Sequence, residues 1–137
     1  ADTGRFWGMQ EVSEAQSQIF RNNPNTEQLS IIPAENQYDI DGNLWINGVT
    51  NEMLLEVNGL AKLANGDYQL WIIYSDDKIE GIIIPINKNG KTQMFMENMD
   101  VDHFKLIKAS IEPKGGSPLP TGPETFFVEF KKGKWSQ

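Results

Sequence analysis

The stretch Tyr68-Gln69-Leu70-Trp71-Ile72-Ile73-Tyr74 is the densest apolar run in the chain. It is short for a helix and rich in the aromatic and β-branched residues that suit a pleated strand. Apolar side chains at both odd and even positions imply burial on both faces. The sequence around it is punctuated at regular intervals by turn residues. Asp76-Asp77 leads into Ile79–Ile86, Asn89-Gly90 into Thr92–Met96, and the strand-like runs Phe104–Ile111 and Thr125–Phe130 follow. Upstream, Asn65-Gly66 and Asn58-Gly59 separate the run from Met53–Val57. Asn47-Gly48 splits that segment from Leu44–Ile46, a strong hairpin signal. Asp39-Ile40-Asp41-Gly42-Asn43 reads as a turn, and Leu29–Ile32 as a short strand ended by Pro33. About eight short strands at this spacing predict an all-β fold, an antiparallel sandwich or barrel.

One helix is expected, from Ala1 to about Asn22. Phe6, Met9, Val12 or Ala15, and Ile19 recur at three- to four-residue steps, and Asn22-Asn23-Pro24-Asn25 ends the pattern. Gly4 and Gly8 weaken its start. Two readings are open: an amphipathic helix packed on the β domain, or a stalk leaving a membrane with Phe6 and Trp7 near the interface. The chain divides at about residue 28, into 1–27 and a β domain over 28–137.

The chain has 137 residues and a net charge of -7, from 12 basic and 19 acidic side chains. That length fits one domain with a core of its own. The charge argues against a nucleic-acid partner, which would call for a basic stripe on phosphates. The acidity is uneven: six Lys and three Glu in 105–137 leave a balance of -10 for residues 1–104. With no cysteine, disulfides, thiolate metal sites and cysteine nucleophiles are excluded. No stretch approaches the roughly 18 apolar residues of a membrane span. The chain begins at Ala1 rather than Met, which is read as a fragment of a longer protein.

Two groups have some metal-ligand character. Asp39-x-Asp41-Gly42-Asn43 resembles the opening of a calcium loop, but its twelfth position is Thr50 where a bidentate Glu is needed. Asp100-x-Asp102-His103 places three possible ligands together, a pattern that also suits an ordinary polar loop. No cofactor is expected. His103 is the sole histidine, so a Ser/His/Asp triad has to use it, and no Gly-x-Ser-x-Gly elbow occurs. The chain is therefore read as a non-enzyme. Trp71 reads as core. Trp45, beside a hairpin turn, is either core or an exposed platform, and the second possibility suggests an extracellular glycan- or peptide-binding module.

Glu112 to Pro123, EPKGGSPLPTGP, contains three glycines and four prolines. No helix or central strand accommodates that composition. Gly115-Gly116 marks a sharp turn. Pro118, Pro120 and Pro123 stiffen the rest into a fixed crossing, expected to bring the last strand back across the sandwich and close an edge.

Two segments together resemble the C-terminal, extracytoplasmic domain of the RskA-like anti-sigma-K factor family. One is Gly59-Leu60 followed by Gly66-Asp67-Tyr68-Gln69-Leu70-Trp71-Ile72-Ile73. The other is Ile111-Glu112-Pro113-Lys114-Gly115-Gly116-Ser117 through Pro120-Thr121-Gly122-Pro123. The candidate structural positions are accordingly Tyr68, Gln69, Leu70, Trp71, Glu112, Pro113, Gly115, Gly116, Pro120, Thr121 and Gly122. The resemblance spans residues 28–130; the polar segment Tyr74–Gly81 departs from it where the family often carries Gly and Pro.

The resemblance implies a single-pass protein of the cell membrane whose outer domain is this one. A cytoplasmic region outside this chain would bind an extracytoplasmic-function (ECF) sigma factor, and a transmembrane helix, also outside it, would anchor the protein. Residues 1–25 would form the juxtamembrane stalk. A site-1-type protease would start the regulated proteolysis that frees the sigma factor. Residues 68–73 and 112–123 are expected to pack together, with Glu112 or Thr121 hydrogen-bonding the turn.

Overall fold

The structure, a computed structural model, describes residues 13–130. It is a sandwich of two antiparallel sheets preceded by one helix. The helix α1 spans Glu14–Asn22 and the strands are β1 Thr26–Ser30, β2 Ile32–Pro33, β3 Asp41–Asn47, β4 Glu52–Asn58, β5 Gly66–Tyr74, β6 Ile79–Ile83, β7 Thr92–Met96, β8 Phe104–Pro113 and β9 Glu124–Glu129. One sheet has the order β1-β3-β4-β7 and the other β2-β9-β8-β5-β6. The all-β sandwich expected from the sequence is thus present.

Period-two alternation builds the core. On the first sheet Leu44, Leu55 and Met94 are in register, as are Ile46, Met53 and Met96. On the second, Leu70 is paired with Ile82 and Ala109, and Ile72 with Ile107. All of these belong to one buried cluster between the sheets. Nine-tenths or more of each of Tyr68, Gln69, Leu70, Trp71 and Ile72 is buried, so the quoted strand is covered on both faces.

Several local expectations are corrected. The helix does not run unbroken from Ala1: Ser13 has extended φ/ψ and caps α1 through a reciprocal capping box with Gln16. Its buried residues are Ser17 and Phe20, whereas Ile19 is 72% exposed. Phe6, Trp7, Met9 and Val12 lie outside the described residues. Asp41-Gly42-Asn43 is the start of β3, paired with Glu56–Asn58, and not a turn. Gly42 is required there because an added Cβ would stand 2.1 Å from the Glu56 carbonyl oxygen. The turn after Asn47 is longer than a two-residue hairpin. The Asn47 side-chain oxygen accepts from Val49 and Thr50 N–H at 2.8 and 3.0 Å, and its carbonyl from Asn51 N–H at 2.8 Å. Leu29–Ile32 is not one strand: Leu29 lies in β1 and Ile32 in β2, which belong to different sheets, and Pro33 closes β2 at a sheet edge, where its missing N–H costs no ladder bond.

Residues 114–123 connect β8 to its immediate neighbour β9 in the same sheet. They do not carry the chain across the sandwich, and the edge beside β9 is occupied by β2 instead.

Candidate functional site

The outer face of the five-stranded sheet is built from the alternate residues of β5. Trp71 points away from the core shared by Leu70 and Ile72, in register with Gly81 of β6 and Lys108 of β8. A side chain facing outward would ordinarily be solvated, yet Trp71 is 1% exposed. Part of the reason is Gly81. A Cβ there would fall 2.8 Å from ring atom Cζ3, so the indole lies in the space a side chain at 81 would need. The other part is the segment that follows β8, which folds back over this face.

That segment is tied to β5 by hydrogen bonds at three levels. Asp67 accepts from the Gly115 N–H at 2.8 Å. Gln69 clamps Ser117, accepting from its N–H at 2.9 Å and donating to its carbonyl at 3.1 Å. Trp71 Nε1 donates to the Ser110 hydroxyl at 2.8 Å, and that hydroxyl donates onward to Glu112 at 2.5 Å. Glu112 also receives the Thr121 hydroxyl at 2.6 Å and the Thr121 and Gly122 N–H groups at 3.0 Å each. One carboxylate thus gathers four donors from both ends of the segment. Burial pushes the Glu112 carboxyl up, but the hydrogen bonds from Ser110, Thr121 and Gly122 together outweigh it and hold it at about 2.

Glycine is needed at two points of the turn. Gly116 has φ +92°, and a Cβ on it would stand 2.9 Å from Gln69 Oε1. A Cβ on Gly122 would stand 1.7 Å from the Ile111 carbonyl oxygen. The Ile111 N–H meanwhile donates to the Pro123 carbonyl at 3.0 Å, so the two backbones are in contact. Thr125 Oγ1 donates to the Ala109 carbonyl at 3.1 Å, satisfying the strand where the β8–β9 register shifts.

The structure therefore brings together Gln69, Trp71, Glu112, Gly116, Thr121 and Gly122. Leu70 faces the core instead. Tyr68 also faces inward; its hydroxyl donates to the Ala61 carbonyl at 2.5 Å, and burial raises its pKa. Pro113 accepts the Gly116 N–H at 2.7 Å, closing the turn that Gly115 enters at φ +90°. Pro120 precedes the Thr121 that binds Glu112. Ser110 and Gly81 were not singled out from the sequence. The i, i+2 spacing of Ser110 and Glu112 on one strand face was the available signal for Ser110.

The second outer face carries α1. Trp45, Leu54 and Phe95 lie in register across β3, β4 and β7. Phe20 packs over them, edge-on to Phe95 with ring centroids 5.4 Å apart. Arg21 stacks 5.3 Å above the Trp45 ring and pairs with Glu56 at 3.0 Å, and Glu56 also accepts from Gln93 at 2.7 Å. Trp45 is 8% exposed beneath this helix, so it forms no open platform for a sugar or peptide.

Among the described residues, no three His, Asp or Glu side chains converge to hold a metal ion. Asp39 precedes β3 and Asp41 begins it. Asp100 binds His103 Nδ1 at 2.9 Å in an exposed loop, and that hydrogen bond raises the imidazole pKa. Asp102 turns instead toward Gly48, where a Cβ would meet its Oδ1 at 2.5 Å. An open cleft of about 690 Å³ lies beside Leu60, Lys62, Tyr68, Ile84 and Lys114. No helix of the described residues is long and apolar enough to cross a membrane. No family model matches the chain, and neither the curated proteins nor the solved structures searched contain a match.

Proposed function

We propose that this is the extracytoplasmic regulatory domain of a membrane-anchored anti-sigma factor, acting without catalysis of its own. In this reading the sandwich holds α1 against a sheet and so controls protease access to it. The reading rests on the resemblance of residues 59–73 and 111–123, and on one structural observation. The helix nearest the N-terminal end of the described chain is docked through Phe20 on Trp45, Leu54 and Phe95. A signal that loosens the domain would release the helix, and the freed segment would become a substrate for a site-1-type protease. Cleavage there would begin the release of an ECF sigma factor held on the cytoplasmic side.

The motif residues fit a scaffold role in this scheme. Their hydrogen bonds are spent on each other and on the β8–β9 connection, which makes them determinants of stability rather than of ligand recognition. Co-purification of the full-length, membrane-extracted protein tests the assignment. An ECF sigma factor should be recovered in stoichiometric amount. Recovery of none, from cells in which the protein is intact, rejects it.

A further inference from the structure

We infer that β6 is the contact edge of a homodimer, pairing antiparallel with β6 of a second copy about Gly81. β6 is the last strand of its sheet. The Ile84 N–H donates to the Tyr68 carbonyl, and the Tyr74 N–H to the Lys78 carbonyl, both at 2.9 Å. Those two bonds fix the parity of the ladder. Even-numbered residues 78 to 84 turn their backbone groups toward β5, so Ile79, Gly81 and Ile83 turn theirs outward. An edge of this kind is a template for another strand unless it is blocked. The usual blocks are lysine, proline or a bulge within the strand. Ile79-Glu80-Gly81-Ile82-Ile83 has none of them, and its pairing with β5 shows no register shift. Its one charge, Glu80, is held by the Tyr74 hydroxyl at 2.7 Å.

The occupant follows from the pattern of the strand itself. Antiparallel pairing about Gly81 places Ile79 opposite Ile83 of the second copy, Glu80 opposite Ile82, and Gly81 opposite Gly81. Two apolar pairs form, no like charges meet, and a two-fold axis relates the copies as a closed dimer requires. Ile79 is 41% exposed and Ile83 half-buried, so both have surface to lose. The other sheet edges fit this poorly. β1 packs against α1, and β2 is two residues long and contains Pro33. β7 carries Phe95, which packs against Phe20 of α1. The dimer joins the two five-stranded sheets into one continuous sheet. It stands on the sheet edge alone and holds whether or not the anti-sigma reading does.

Sedimentation of the chain, with residue-resolved amide exchange between about 10 μM and about 1 mM, tests the inference. The expected result is a monomer–dimer equilibrium, with slowed exchange at the Ile79, Gly81 and Ile83 N–H groups as dimer forms. Ile79→Lys with Ile83→Lys sets lysine against lysine and should weaken association at least about tenfold. Ile79→Lys with Ile83→Glu sets lysine against glutamate across the axis and should restore it. A parallel pairing would place like against like and would not be restored. A monomer throughout the range overturns the inference, as does concentration-dependent protection on β7 in place of β6. A folded Ile79→Lys, Ile83→Glu variant that stays monomeric also overturns it. Should lysine at 83 disturb the neighbouring Gly116 turn, the exchange data on the unaltered chain decide alone.

Discussion

Gln69 holds Ser117 by both of its amide atoms, at 2.9 and 3.1 Å, across 48 positions of sequence. A side chain that is 6% exposed thereby does for the loop what a strand neighbour does for a ladder. Gln69→Ala leaves the Ser117 N–H and carbonyl without these partners. The expected loss is about 1–3 kcal/mol, the cost of part-buried polar groups left unpaired. Gln69→Glu keeps the acceptor and loses the donor, so its unfolding midpoint in denaturant should lie between those of the parent and the alanine variant.

Glu112 makes stability depend on pH. Its carboxyl has a folded pKa of about 2 against an ordinary value of 4.5. A depressed folded pKa favours the native state above the unfolded pKa, and the benefit is lost as pH falls from about 4.5 through about 2. The shift corresponds to about 3 kcal/mol at neutral pH. Glu112→Gln should cost an amount of that order at pH 7. The gap between the two proteins should shrink steadily below pH 4.5, as read by urea unfolding at a series of pH values.

Trp71→Ala removes a ring buried on the outer face and should cost about 3–5 kcal/mol. Trp71→Phe retains most of the packing but withdraws the donor to Ser110, and is expected to cost less. The difference between these variants, measured by equilibrium unfolding, separates packing from the hydrogen-bonded chain that ends at Glu112.

The glycines of the loop should rank by contact. Gly122→Ala drives a Cβ into the Ile111 carbonyl, 1.7 Å away, while Gly115→Ala meets nothing within 4 Å. Gly115→Ala then carries only the cost of a positive φ, about 1–2 kcal/mol. Thermal unfolding should show a much larger drop for Gly122→Ala, and equal drops would contradict the close approach of these two backbones.

Much of the fold was legible in the sequence because alternation and turn residues agreed. Thr92–Met96 matches its strand end to end, and the extended Tyr68–Tyr74 run identified β5, an interior strand of the second sheet. Packing of residues 68–73 against 112–123 was also foreseen, but from the resemblance that joins the two segments and not from any local pattern. What was missed depended on long-range contact. Asp41-Gly42-Asn43 has turn composition, yet Glu56 and Val57 lie beside it and draw it into β3. Trp45 could not be placed because its cover, Phe20 and Arg21, comes from a helix whose apolar spacing pointed to Ile19. The role of Gly81 shows only when the Trp71 ring is seen lying where its side chain would be.

The docked helix bears the functional weight of the account. Phe20→Ala and Trp45→Ala both remove contacts between α1 and the sheet while leaving the core between the sheets in place. The decisive measurement is the rate of cleavage within residues 14–28 by a dilute protease, compared across the parent and these two variants, with global unfolding followed in parallel. Cleavage of a closed segment tracks the population of its open form. Each variant should be cleaved at least about tenfold faster there, corresponding to about 1.4 kcal/mol of weakened docking, while the β domain remains folded. Equal rates in all three proteins would contradict the claim that the sandwich shields its N-terminal segment.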